Sequence, residues 1–164
     1  MSKMPKQKPG KSRQDYETPQ DLIDAIERRF GPLTFDLAAH AKNTKCPDYY
    51  NSRVDSLKQD WSLLKGNLWL NPPFAHIDPW AEKCKETVWC WQHINVTPIL
   101  PFTIFLLTPA SIGSEWFRKH IYMHAHVIGL NPRLKFVGEE DAYPKDCMLS
   151  LFGRQPGFEV WRWK

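Results

Sequence analysis

Ile99 to Leu107 is an almost uninterrupted apolar run, in which Thr103 is the sole polar side chain. A strand with no polar face must be covered on both sides, so the run predicts a central strand of a layered α/β domain. Asn67-Leu-Trp-Leu-Asn-Pro-Pro-Phe74 is a second short apolar run, halted by two prolines. It predicts a buried strand whose carboxyl end delivers Asn71 to Phe74. Further strands are expected at Val127–Leu130, Leu134–Val137 and Cys147–Phe152, and Leu33–Ala39 is another short apolar segment.

Helical patterns separate these runs. Thr18-Pro19-Gln20-Asp21 reads as an N-cap, a proline at the first helical position and an acid in the first turn. Leu22, Ile26 and Phe30 then recur at helical spacing until Gly31-Pro32 stops the helix. Asp78-Pro79 opens a second helix with Trp80, Cys84, Val88 and Trp91 on one face, and Ser114–Ala125 suits a third. Residues 40–60 are expected to be irregular. Strands alternating with helices argue for an α/β fold with a mostly parallel central sheet flanked by helices.

At 164 residues one domain is expected, placed here at 15–164. The net charge of +4 is carried at one end. Lys3, Lys6, Lys8, Lys11 and Arg13 occupy the first thirteen residues with no acid among them, so the rest of the chain is close to neutral. Residues 1–14 are therefore expected to be a flexible basic tail. The long uncharged stretch after Val88 contains prolines, Gly113 and several polar residues, which excludes a transmembrane helix. No apolar segment follows the basic N-terminus, so no secretory signal is expected. Cys46, Cys84, Cys90 and Cys147 form no Cys-x-x-Cys pair. A reduced, intracellular protein is the expectation.

Asn71-Pro72-Pro73-Phe74 carries legible chemistry at the end of a strand, where open α/β sheets bind their ligands. An adenine amino group is a poor nucleophile because its lone pair is delocalised into the ring. The Asn71 side-chain carbonyl and the Pro72 backbone carbonyl can each accept one of its N–H bonds. Two fixed acceptors favour the tetrahedral, cationic transition state. Pro72 and Pro73 stiffen the loop, and Phe74 offers a face for a base, worth ~1–3 kcal/mol in stacking.

These residues resemble the catalytic motif of S-adenosylmethionine-dependent amino methyltransferases. The wider pattern is similar to the phage-type, Dam-like DNA N6-adenine methyltransferases. It comprises Tyr16-Glu-Thr-Pro19, Phe35-Asp-Leu-Ala-Ala39, Lys45-Cys-Pro-Asp-Tyr-Tyr50 and Asp55-Ser-Leu with Asp60-Trp61. It continues through Trp69–Phe74 with Ile77 and Trp80, Leu107-Thr-Pro-Ala110, Trp116-Phe117 and Arg133-Leu-Lys-Phe136. The resemblance implies a compact class I, Rossmann-like methyltransferase fold and S-adenosyl-L-methionine as cofactor. It implies that Tyr16, Thr18 and Pro19 contact the methionine end of that cofactor, and that Asp36, Ala38 and Ala39 bend around it. Asp55 or Asp60 would bond the cofactor's adenine, and Asp48 is the nominee for its ribose. Asn71, Pro72, Pro73 and Phe74 would hold the target adenine in DNA. A monomer in the cytoplasm of a bacterial host, with no metal and no membrane partner, completes the expectation. Ala38-Ala39-His40-Ala41 stands where many methyltransferases have a glycine-rich loop, and only a short stretch separates it from Asn71.

Other constellations compete less well. His120 and His124 would share a helix face near His126, yet no Cys or carboxylate stands at ligand spacing. Cys84, Cys90 and His93 read as packing. Trp69, Trp80 and Trp91 have core-facing periodicity, whereas Trp61 and Trp116 are candidates to approach the pocket. Arg133-Leu-Lys-Phe136 leans towards a DNA-facing loop. The motif also serves enzymes that methylate RNA bases or protein glutamine, and a non-catalytic DNA-binding relative is a further alternative. Deleting residues 2–13 is expected to weaken DNA affinity and flatten its salt dependence in titrations across ionic strength. An unchanged slope would leave the tail without a part in binding.

Overall fold

A computed structural model describes residues 16–94 and 100–164. The expected basic tail over residues 1–14, and Ile99 at the start of the long apolar run, lie outside the described residues. Seven strands form one sheet: β1 (Leu33–Asp36), β2 (Asp48–Tyr49), β3 (Gly66–Leu70), β4 (Phe102–Pro109), β5 (Ala125–Asn131), β6 (Cys147–Phe152) and β7 (Gly157–Arg162). Their order across the sheet is β2-β1-β3-β4-β6-β5-β7. β1 pairs in parallel with β2 and β3, β3 with β4, and β5 with β7. The sheet is nevertheless mixed, because β6 runs antiparallel to both β4 and β5.

Every residue of β4 is buried. Phe105 and Leu107 face a core that contains Leu22, Ile23 and Ile26 of α1 (Gln20–Phe30). Ile104 and Leu106 face the other core, with Ala81, Cys84 and Val88 of α2 (Asp78–Ile94). β3 is divided in the same way, Trp69 to the α1 side and Leu68 and Leu70 to the α2 side. The apolar runs are thus continuous because helices cover both faces of the strands they form. Truncating a fully buried Phe105 to Ala would cost about 3–5 kcal/mol.

Several boundaries depart from expectation for local reasons. Thr18 is not the cap of α1: that position falls to Pro19, with no side-chain cap bond. The third helix shrinks to a π-helical turn over Phe117–Ile121. Met123 then takes a positive φ of 64° and the chain enters β5 at Ala125. Among the described residues Leu134–Val137 pairs with no strand, although Leu134 and Phe136 are buried and Arg133 and Lys135 exposed. Alternation alone gives an inward and an outward side, but a strand also needs a ladder partner. Two edge strands, the two-residue β2 and the six-residue β7, lacked an apolar run to announce them, and β7 exposes Phe158 and Val160.

Cys46, Cys84 and Cys147 are buried and Cys90 is half-buried. Burial pushes the Cys46 and Cys147 thiols up to about 12, and raises that of Cys84 as well. A thiol reagent at pH 8 is therefore expected to label Cys90 first in the native protein and all four cysteines after denaturation; Cys90→Ser should abolish the fast phase. Because the unfolded chain releases these protons near pH 9 and the folded chain retains them, stability should fall as pH rises above about 9. A flat urea midpoint between pH 8 and 10.5 would contradict this.

Candidate active site

The chain leaves β1 for β2 on one side and returns as β3 on the other. The carboxyl ends of these parallel strands therefore diverge into a crevice at a topological switch point. A cavity of about 510 Å³ opens there, of the size that takes a small organic ligand. Its lining comes from Tyr16–Thr18, from Leu37–Ala39 after β1, from Tyr50, Asn51, Val54 and Asp55 after β2, and from Asn71 and Pro73 after β3, with Trp80 of α2.

Asp36 closes β1 and is 3% exposed. Its carboxylate accepts hydrogen bonds from the backbone N–H of Ala38 at 3.2 Å and of Lys45 at 3.0 Å. Burial pushes its pKa up, opposed by those two bonds and by the Lys45 charge. The side chain is spent on pinning the loop between β1 and β2, which explains how Ala38 and Ala39 bend here without a glycine. The strand pairing is prolonged by Leu37 N–H to the Trp69 carbonyl at 2.8 Å and Ala39 N–H to the Tyr50 carbonyl at 3.0 Å.

Asn71 follows β3 directly. Its Nδ2 donates to the Tyr16 carbonyl at 2.6 Å and to the Thr18 hydroxyl at 3.0 Å. A carbonyl can only accept, so the amide nitrogen must face Tyr16 and the amide orientation is settled by chemistry. Among the described residues neither Asn71 Oδ1 nor the Pro72 carbonyl accepts a hydrogen bond. Pro72 is buried and Pro73 exposed, which gives the loop a fixed and a solvent-facing side.

Phe74 joins Tyr16, Phe136 and Tyr143 in a cluster in which every pair of ring centroids is 5.0–6.0 Å apart. Such tilted and edge-on pairs add roughly 0.5–1.5 kcal/mol each beyond burial. Burial pushes the Tyr143 phenol up to about 12. Tyr143 had no signal in the sequence, because it comes from an irregular loop more than sixty residues after the motif. Phe136 is core, so Arg133 and Lys135 are the exposed residues of that segment, and Arg133 is bound to Asp146 at 2.7 Å.

The three candidate acids separate in space. Asp55 lines the cavity and pairs with Lys58 at 3.0 Å. Asp60 lies outside the lining and caps the turn Trp61–Leu63: Ser62 donates to it from its hydroxyl at 2.6 Å and its N–H at 3.0 Å, holding its carboxyl below the usual range. Asp48 sits on β2, exposed and outside the lining. Asn51, unsuspected from its irregular segment, is in the lining. Trp61 is fully buried, donates to the Ser56 carbonyl at 2.9 Å and stacks on Trp80, so Trp80 rather than Trp61 reaches the cavity. Trp116 packs in the α2-side core. The histidines are dispersed, His120 beside Asp78 and His126 beside Glu159.

A strand-end crevice in an α/β sheet, with Asn71 and Pro73 in its lining, fits a methyltransferase. The chain belongs to the DNA N-6-adenine-methyltransferase (Dam) family, whose model matches residues 5–149. It is 27% identical over 145 residues to the DNA N-6-adenine-methyltransferase of Escherichia phage T1, covering 88% of this chain and 56% of the phage protein. It is 36% identical over 69 residues to the YfdM protein of Escherichia coli (strain K12), covering 40% of this chain and 71% of that protein. The chain thus spans little more than half the length of the phage relative. Among the described residues no helix is long and apolar enough to cross a membrane.

The amide assignment makes a prediction. Asn71→Asp removes both donors and sets a carboxylate oxygen against the Tyr16 carbonyl, so stability should drop by about 1–3 kcal/mol. Urea denaturation checks this, and an unchanged midpoint would contradict the assigned contacts.

Proposed function

We propose that this protein transfers a methyl group from S-adenosyl-L-methionine to N6 of adenine in DNA. The observation that carries the reading is the Asn71 carboxamide: both its donors are engaged and its oxygen is left to accept, at the rim of the strand-end cavity.

The lining suits the cofactor. Leu37, Ala38, Val54 and Trp80 offer apolar contact for a flat heterocycle, and Asp55 offers a carboxylate to its amino group. Lys45, the lysine in the lining, is neutralised by Glu17 at 3.0 Å and so opposes a sulfonium less. Asp55 is accordingly our choice over Asp60 for the adenine contact, and Asn51 is a better placed partner for ribose hydroxyls than Asp48. The bound cofactor supplies an electrophilic methyl group. The protein's part is to hold the attacking amine. Asn71 Oδ1 and the Pro72 carbonyl each accept one N6–H bond, drawing the nitrogen out of conjugation, while Phe74 stacks on the ring. Charge that builds on nitrogen meets two fixed dipoles that need no reorganisation. The base must leave the duplex to reach them, at a cost of a few kcal/mol. The matching family and the phage relative's name support DNA as the substrate. We further propose a class I, Rossmann-like topology, supported by the parallel β2-β1-β3-β4 block beside antiparallel β6.

Radiolabelled methyl transfer with DNA, RNA and protein offered in parallel tests the reading. Label is expected in DNA as N6-methyladenine; label in RNA or protein alone would overturn the substrate. Asn71→Ala should lower transfer by about 10²–10³-fold, with cofactor affinity by calorimetry within threefold of wild type. Asp55→Ala should weaken cofactor binding about tenfold, and Asp60→Ala should leave it unchanged.

A further inference from the structure

We propose that Thr18 is a positioning residue that sets the direction of the Asn71 acceptor oxygen, rather than a helix cap or a direct cofactor contact. The inference deepens the methyl-transfer reading and rests on it for the identity of the reacting amine.

Thr18 is 2% exposed, and a hydroxyl at that depth needs a partner. Thr18 stands one residue before the cap position of α1, which Pro19 occupies, and among the described residues its hydroxyl makes no bond to the first turn of that helix. The hydroxyl oxygen instead accepts from Asn71 Nδ2 at 3.0 Å. The terminal torsion of an Asn side chain is broad and soft, so hydrogen bonds and not rotamer preference determine where its oxygen points. With Tyr16 alone the carboxamide would pivot about one bond; with Thr18 both amide hydrogens are engaged and the plane is fixed.

The anchor is itself held from three directions. The Glu17 carbonyl accepts from Val137 N–H at 3.0 Å, in the loop after β5. The Glu17 carboxylate binds Lys45 at 3.0 Å, in the loop between β1 and β2, where the Lys45 side chain is 9% exposed. The Tyr16 ring lies 5.0 Å from Phe136 and 5.7 Å from Phe74. One three-residue strap therefore fixes the acceptor oxygen of Asn71 and one side of the stacking ring. Loss of the Thr18 oxygen should misdirect the acceptor while leaving the cavity intact, a defect in rate rather than in binding.

The test compares Thr18→Val, which keeps the shape and removes the oxygen, with Thr18→Ser, which keeps the oxygen. Thr18→Val is expected to lower kcat for DNA methylation about 10–100-fold. KM for DNA and Kd for S-adenosyl-L-methionine should stay within threefold, and Thr18→Ser should restore kcat to within threefold of wild type. An unchanged kcat in Thr18→Val, or a loss of cofactor affinity with kcat preserved, would overturn the proposal. A second readout does not depend on turnover: the two Asn71 side-chain amide protons, followed by ¹⁵N-edited NMR. They should be shifted and exchange slowly in wild type and Thr18→Ser, and lose both properties in Thr18→Val. If wild type methylates no DNA, the functional reading fails by itself. The amide spectrum then decides the positioning role, and identical Asn71 signals in wild type and Thr18→Val would overturn it.

Discussion

Because β4 has no side free for water, helices must lie on both faces of the sheet. That requirement arranges everything else. Parallel neighbours need crossover connections, supplied by α2 between β3 and β4 and by irregular segments and short 3₁₀ turns between β1, β2 and β3. β1, β2, β3 and β4 therefore finish at a common edge. The residues that follow them, Leu37, Tyr50 and Asn71, are set side by side without any of them being neighbours in sequence. The cavity is the space left where β1 and β2 diverge from β3.

Within that space, chemistry is specified by what each polar group is already doing. Asp36 has committed its carboxylate to two backbone N–H groups and Lys45 its charge to Glu17, while Asp60, outside the lining, has committed its Oδ1 to Ser62. Asn71 Oδ1 and the Pro72 carbonyl have no such commitment among the described residues. An inventory of carboxylates would have ranked the acids together; their hydrogen bonds separate structural work from availability.

The strongest elements were legible because burial leaves a continuous imprint on sequence: β3, β4, α1 and α2 all announced themselves. So did the placement of Asn71–Phe74 at the carboxyl end of β3. What was hidden was non-local. The Thr18-Pro19 pattern looks the same whether the hydroxyl caps its own helix or binds an amide fifty-three residues away. Tyr143 and Asn51 sit in irregular segments with no periodicity to place them. Ser114–Ala125 suits a helix by its pattern, but the helical turn ends at Ile121 and the backbone takes a positive φ at Met123. β2, two residues long, and the exposed edge strand β7 lie below what hydrophobic pattern can resolve.

The Asn71 carboxamide is oriented by Tyr16, fifty-five residues earlier in the chain. A fragment that folds only around β3 and its proline-stiffened loop would possess the motif and yet leave its amide unaimed. Completion of the tertiary structure and the aiming of this carboxamide are therefore a single event. A partly folded chain would carry the sequence of the site without its geometry.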